Sequence, residues 1–153
     1  MEALLDGTHC IAMVGVSMNT LRPSWFVARY LTLKGFRIVP VNPRYAGETL
    51  LGETVVASLA DIPGDRAVDM VDIFRRSEEA GAIVDEAIAT CAPRGLKTIW
   101  MQIGVIDQHA AALAREAGLA VVMNRCTKME YQRLKGELSW GGINSGIVSS
   151  RLR

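Results

Sequence analysis

A chain of 153 residues, 50% of them hydrophobic, is long enough for one domain with a sizeable core and cramped for two. Its formal net charge of +1, with basic residues dispersed apart from the pair Arg75 and Arg76, argues against nucleic acid or an anionic membrane surface as partner. Three scattered cysteines, Cys10, Cys91 and Cys126, form no C-x-x-C pair and suggest neither a disulfide framework nor a zinc site; with no basic leader feeding a long apolar run, a soluble cytoplasmic protein is expected.

The first strand is expected at 10–16, where CIAMVGV is apolar up to its glycine. It runs into a broken phosphate-type loop, the stretch 11–24 reading IAMVGVSMNTLRPS. A helix is expected over 24–34, with Trp25, Val27, Ala28, Leu31 and Thr32 at roughly helical spacing and Gly35 as its stop. A second strand at 37–41 completes a βαβ unit. Residues 42–63, with Pro43, Gly47, Gly52 and Pro63, read as an irregular connection carrying one short strand at 54–57.

The third strand is placed at 67–73 and the next helix at 77–91, opened by Ser77 as N-cap with Glu78 and Glu79 in its first turn. Gly95 and Gly118 mark helix stops, a fourth strand is expected at 98–103, a helix at 107–117, a fifth strand at 120–123 and a last helix at 127–134. The tail, 136–153, lacks either periodicity and reads as an extended or partly disordered arm. Alternating strands and helices imply an α/β, doubly wound Rossmann-like domain over 1–135: five parallel strands, order 3-2-1-4-5, with helices on both faces.

In such a sheet ligands sit outside the carboxyl ends of the strands, near the reversal of strand order. After the first strand, Gly15 permits a tight turn, Ser17, Asn19 and Ser24 can donate hydrogen bonds, Arg22 can pair with a phosphate, and the helix start offers free N–H groups. The bland alternative is a plain strand-to-helix turn with Ser24 as N-cap. After the second strand, an NAD site of the usual type needs an acid for the ribose diol; here stand Asn42, Pro43 and Arg44. Arg44 suits a ribose-attached phosphate, as in NADP or a 3′-phosphorylated adenosine such as coenzyme A, or is simply a solvated loop arginine.

After the third strand come Phe74, able to pack on an adenine or a pantetheine, and Arg75 and Arg76, which either meet phosphates or pair with Asp72, Glu78 or Glu79. After the fourth, Trp100 reads as core, and Gln102 and Gly104 as pocket residues. Cys126, flanked by Arg125 and Lys128, is either a thiol of lowered pKa or a half-buried structural cysteine. Asp61, Asp69, Asp72, Glu116 and Glu130 show no pairing that argues for acid–base catalysis.

Taken together, VGVS with RPS, PVNP, FRR, and WMQIG followed by 125–130 resemble the small CoA-binding domain proteins, related to the CoA-binding domain of the succinyl-CoA synthetase alpha subunit. The resemblance covers about residues 5–150. It implies that Gly15, Ser17 and Arg22 form a phosphate loop, that 42–44 lie near the adenosine end, that 74–76 line the pocket, and that Gln102 and Gly104 lie beside the pantetheine. The synthetase kinship would also imply a second domain with a phosphorylated histidine, which neither His9 nor His109 matches.

The expected function is therefore to bind coenzyme A or acyl-CoA without turnover by this chain alone. The alternatives are an NADP-linked oxidoreductase, an acyl-transfer or ligase component needing a partner subunit, and a structural or regulatory homodimer with an empty pocket. The partners expected are the ligand itself and a second copy or an acyl-CoA-using enzyme.

Overall fold

A computed structural model describes residues 1–136. A short helix α1 (Glu2–Asp6) precedes strand β1 (Cys10–Val14), helix α2 (Pro23–Leu33) and strand β2 (Arg37–Val41). A small hairpin, β3 (Thr49–Leu50) and β4 (Glu53–Thr54), leads to β5 (Met70–Ile73), α3 (Ser77–Thr90), β6 (Thr98–Met101), α4 (Gln108–Glu116), β7 (Ala120–Val122) and α5 (Thr127–Leu134). All five expected main strands and all four expected helices form. The first, fourth and fifth end one to two residues early, because their last residues peel away into the site loops, the second matches its expected bounds and the third starts three residues late. The expected tail falls almost wholly on 137–153, outside the described residues.

Period-two alternation divides β1 between two cores. Ile11 and Met13 join Val27, Ala28 and Leu31 of α2, whereas Ala12 and Val14 join Ala80, Val84 and Ala87 of α3 and Ala110 and Ala114 of α4. Leu31, wholly buried, contributes about 1.5–3 kcal/mol of apolar burial. α5 returns to the α2 face, where Tyr131 meets Tyr30 and Phe36 edge-on at centroid distances of 6.0 and 5.7 Å. The doubly wound α/β class is thus observed.

The strand order differs from the expected 3-2-1-4-5. The sheet runs β2-β1-β5-β6-β7, all pairs parallel, so the five strands in chain order stand 2-1-3-4-5. The third strand cannot lie outside β2, because the connection itself covers that edge: Val56 bridges Val41 in parallel, its N–H donating to Pro40 O at 3.0 Å while its carbonyl accepts from Asn42 N at 2.9 Å. In place of one strand at 54–57 stands the β3–β4 hairpin, turned by Leu51 and Gly52, both with positive φ as a two-residue type I′ turn requires. The chain then crosses to the far side of β1. Right-handed crossovers leave β1 and β5 in opposite directions, so their carboxyl ends diverge and a crevice opens between them.

Candidate functional site

That crevice is a cleft of about 1270 Å³, and all thirteen residues proposed from sequence line it: Gly15, Ser17, Asn19, Arg22, Ser24, Asn42, Pro43, Arg44, Phe74, Arg75, Arg76, Gln102 and Gly104. The other lining residues, not proposed as such from sequence, are Leu21, Pro23, Phe26, Val27, Tyr45, Ile103, Val105, Cys126 and Lys128. Leu21 and Ile103 are 80% and 47% exposed, an apolar surface on either side of the opening. Leu21 is an apolar residue inside a polar loop, and Ile103 is absorbed into the strand expected at 98–103, so neither stands out in the sequence as a lining residue.

The loop after β1 is braced by its own side chains. Gly15 N donates to Val41 O at 2.8 Å, carrying the β1–β2 pairing one residue further. With φ at +91°, a Cβ on Gly15 would stand 2.5 Å from both Phe74 O and the Arg75 Cδ, so glycine is needed here for two loops to touch. Ser24 Oγ accepts from Ser17 N, Ser17 Oγ from Asn19 N, and Asn19 Oδ1 from Leu21 N, each at 2.9 Å. The three polar side chains expected to act as donors thus serve first as acceptors; each hydroxyl keeps its own proton, and Asn19 its amide protons, for another partner. Ser24 is not the N-cap. Arg22 is, with Pro23 at the first helical position and Ser24 buried behind it.

Asn42 joins this loop to the next: Nδ2 donates to Val16 O at 2.9 Å and Oδ1 accepts from Arg44 N at 3.0 Å. Its amide is therefore occupied within the fold. Pro43 opens a 3-10 turn, and the Arg44 guanidinium lies 5.4 Å from the Tyr45 ring centroid. Neither Arg22 nor Arg44 makes an ion pair among the described residues.

Across the cleft, Arg75 Nη2 and Arg76 Nε reach Glu79 at 2.8 and 3.2 Å, and Arg76 approaches Glu78 at 3.9 Å. Hydrogen bonds from Arg75 and then Arg76 hold the Glu79 carboxyl below its usual range. Of the partners weighed from sequence, Glu78 and Glu79 are used and Asp72 is not. Ser77 is also not a cap. It is the first helical residue after Arg76, and its hydroxyl donates to Gly104 O at 3.2 Å and accepts from Ile106 N at 2.9 Å, pinning the loop after β6. Gly104 N in turn donates to Asn124 Oδ1 at 2.8 Å.

Beneath the cleft lies the acid that the sequence offered only as a partner for Arg75 and Arg76. Asp72, in the central strand, is fully buried and in register between Met13 and Trp100. Gln102 Nε2 donates to its Oδ1 at 2.8 Å and Thr127 Oγ1 donates to its Oδ2 at 3.1 Å. Desolvation outweighs those two hydrogen bonds and pushes the carboxyl up to about 7. The signal was present as an acid inside the apolar run MVDI, with Gln102 two residues past its partner Trp100 on the same face.

Among the described residues five cationic ones, Arg22, Arg44, Arg75, Arg76 and Lys128, line this cleft, and no Asp or Glu does. A family model described as CoA binding domain matches residues 9–132. The chain belongs to that family. The chain is 33% identical over 130 residues to the uncharacterized protein YneT of Bacillus subtilis, covering 85% of this chain and 90% of that one. A solved Thermus thermophilus protein superposes with TM-score 0.80 at 36% identity over 87% of this chain and 95% of that one. A hypothetical protein from Pyrococcus horikoshii gives 0.79 at 35%, over 88% and 89%. The dinucleotide-forming acetyl-coenzyme A synthetase 1 of Ca. Korarchaeum cryptofilum shares the fold, with TM-score 0.60 at 20% identity over 75% of this chain and 26% of that one.

In this CoA binding domain neither His9 nor His109 lines the cleft. Trp100 is core, as expected, with Nε1 donating to Arg125 O at 2.8 Å. Of the two readings of Cys126, the structural cysteine fits: it is buried at the start of α5, and desolvation raises its pKa, with the nearby Asp72 charge adding to the rise. No helix among the described residues is long and apolar enough to cross a membrane.

Proposed function

We propose that this CoA binding domain holds coenzyme A or an acyl-CoA in the cleft and performs no turnover by itself. The observation that carries this reading is a wall to which the described residues bring five cationic side chains and no lining carboxylate, only Arg75 and Arg76 meeting Glu79 behind it, in a cleft opening where the strand order reverses. A volume of about 1270 Å³ exceeds the roughly 300–1,000 Å³ typical of small-ligand pockets, as an elongated nucleotide with a pantetheine arm requires.

The residues divide the work by position. Arg22, at the N-terminus of α2 where the helix dipole also favours an anion, meets the diphosphate. Arg44 stands just past β2, where an NAD site would carry its ribose acid; it meets the ribose phosphate instead, and the missing acid disfavours NAD. Phe74 and the loop 102–105 flank the pantetheine. Bound CoA would contribute a thiol able to carry an acyl group; this chain's residues bind and orient it. Cys126 reaches the cleft, but burial raises its thiol pKa, which works against a nucleophilic thiolate there.

Isothermal titration with CoA, acetyl-CoA, NAD and NADP tests the reading. Binding of CoA or acetyl-CoA in preference to both dinucleotides is expected. Clear NADP binding without CoA binding at millimolar concentration overturns it in favour of an oxidoreductase.

A further inference from the structure

The buried group beneath the cleft has a directional consequence. An ionised carboxylate is acceptor-only, so whatever faces Asp72 must donate. Gln102 Nε2 supplies one proton to Asp72 at 2.8 Å and one to Thr127 Oγ1 at 3.0 Å, while the Thr127 hydroxyl gives its proton to Asp72 at 3.1 Å. This ring closes in one sense only. Both amide protons of Gln102 are used inward, so its Oε1 must face outward. That oxygen accepts from no described residue, yet it is not sealed off: Gln132 Oε1 is the single buried, unpartnered side-chain oxygen or nitrogen among the described residues. Gln102 also lines the cleft.

We propose that Asp72 is a positioning residue that locks the Gln102 amide with its carbonyl oxygen toward the cleft, making this end of the site an acceptor for an amide N–H of a pantetheine arm. The inference rests on the CoA reading above and deepens it. Its second consequence is a proton linkage. A protonated Asp72 becomes a donor and competes with Gln102 Nε2 for the oxygens of the ring. Rotation of the amide relieves that conflict and turns Nε2, a donor, toward the ligand.

Few other groups confuse this titration. β1 and β6 place only Met13 and Trp100 in register with Asp72. α5 contributes the Cys126 thiol, whose raised pKa keeps it protonated, and Lys128 at the cleft wall. On the loop after β5, Arg75 and Arg76 are held by Glu79. Burial places the Asp72 transition near neutrality, with its pKa pushed up to about 7.

The test pairs calorimetry with NMR. CoA is titrated into the wild-type chain and Asp72→Asn at pH 6 and pH 8. The phosphates of CoA titrate alike in both, so the difference between the two proteins isolates Asp72. Wild type is expected to lose about three- to tenfold more affinity than the variant on going to pH 6, the value of one hydrogen bond. In the free protein, the side-chain amide signal of Gln102, assigned by its loss in Gln102→Leu, is expected to move through neutral pH in wild type and to stay fixed in Asp72→Asn. CoA binding with parallel pH profiles for both proteins overturns the positioning role alone, as does a Gln102 signal that does not respond to pH. Absence of CoA binding by wild type at both pH values overturns the CoA reading and the pantetheine assignment with it.

Discussion

The rim of the cleft and its floor carry opposite charge in opposite surroundings. On the rim, Arg22, Arg44 and Arg76 are exposed, so holding three cations there costs the fold little. Below the floor, Asp72 has lost all contact with solvent and has two donors to compensate it, one Gln102 Nε2 proton shared between its two oxygens and the Thr127 hydroxyl. The contrast shows two ways to prepare a site: the rim attracts a ligand through charge, and the floor fixes the direction of an uncharged amide at the expense of stability.

The largest expected effect lies on the floor. Because folding raises the Asp72 pKa from 3.8 to about 7, the native state binds a proton that the unfolded chain has released between those values. The stability contributed by that proton is full below pH 4 and is lost as pH rises through 7, amounting to roughly 4 kcal/mol at the upper bound. Asp72→Asn should therefore be more stable than wild type at pH 8 and flatten the dependence, as urea unfolding at pH 5 and pH 8 would show. A steeper dependence in the variant would contradict the burial of a charge. Acidification should thus strengthen the fold and weaken CoA binding at the same time.

Next comes the seam between the two regions. Gly15→Ala forces a Cβ to 2.5 Å from Phe74 O at a φ of +91°, with an expected loss of roughly 3 kcal/mol in denaturant unfolding. An unchanged midpoint would mean that the β1 and β5 loops separate easily.

On the rim, Arg44→Ala should weaken CoA by about 1.5–3 kcal/mol while leaving dephospho-CoA nearly unaffected. Arg22→Ala should weaken both ligands equally. Titration of the two ligands against each variant checks the division of labour, and an exchange of these patterns would swap the two arginines between diphosphate and ribose phosphate. The smallest effect is expected for Glu79→Ala. It frees Arg75 and Arg76 from their partner, so CoA should bind less than about twofold tighter, with the thermal midpoint nearly unchanged.

Most of the candidate cleft was legible because strand ends in a parallel sheet announce where a ligand can sit. Gly15, Arg22, Arg44 and Gln102 could be named from their places after expected strands, and all face one cleft. Less legible was how the polar residues are used. Ser24 and Asn42 are committed to backbone groups 7 and 26 residues away, and no local pattern marks that commitment.

The elements themselves follow from the amino-acid sequence. The spacing of Val27, Ala28 and Leu31 is helical, the alternation of Ile11 to Val14 is that of a strand buried on both faces, and glycines 35, 95 and 118 end helices, all through interactions within a few residues. Tertiary structure alone decided the order of the sheet, since the free edge of β2 depends on where Val56 returns. It also decided the standing of Asp72. An aspartate is an ordinary acid until Met13, Trp100, Gln102 and Thr127 close around it; burial is a property of distant chain segments, and the desolvation they impose makes this carboxyl a proton-sensitive support for the cleft.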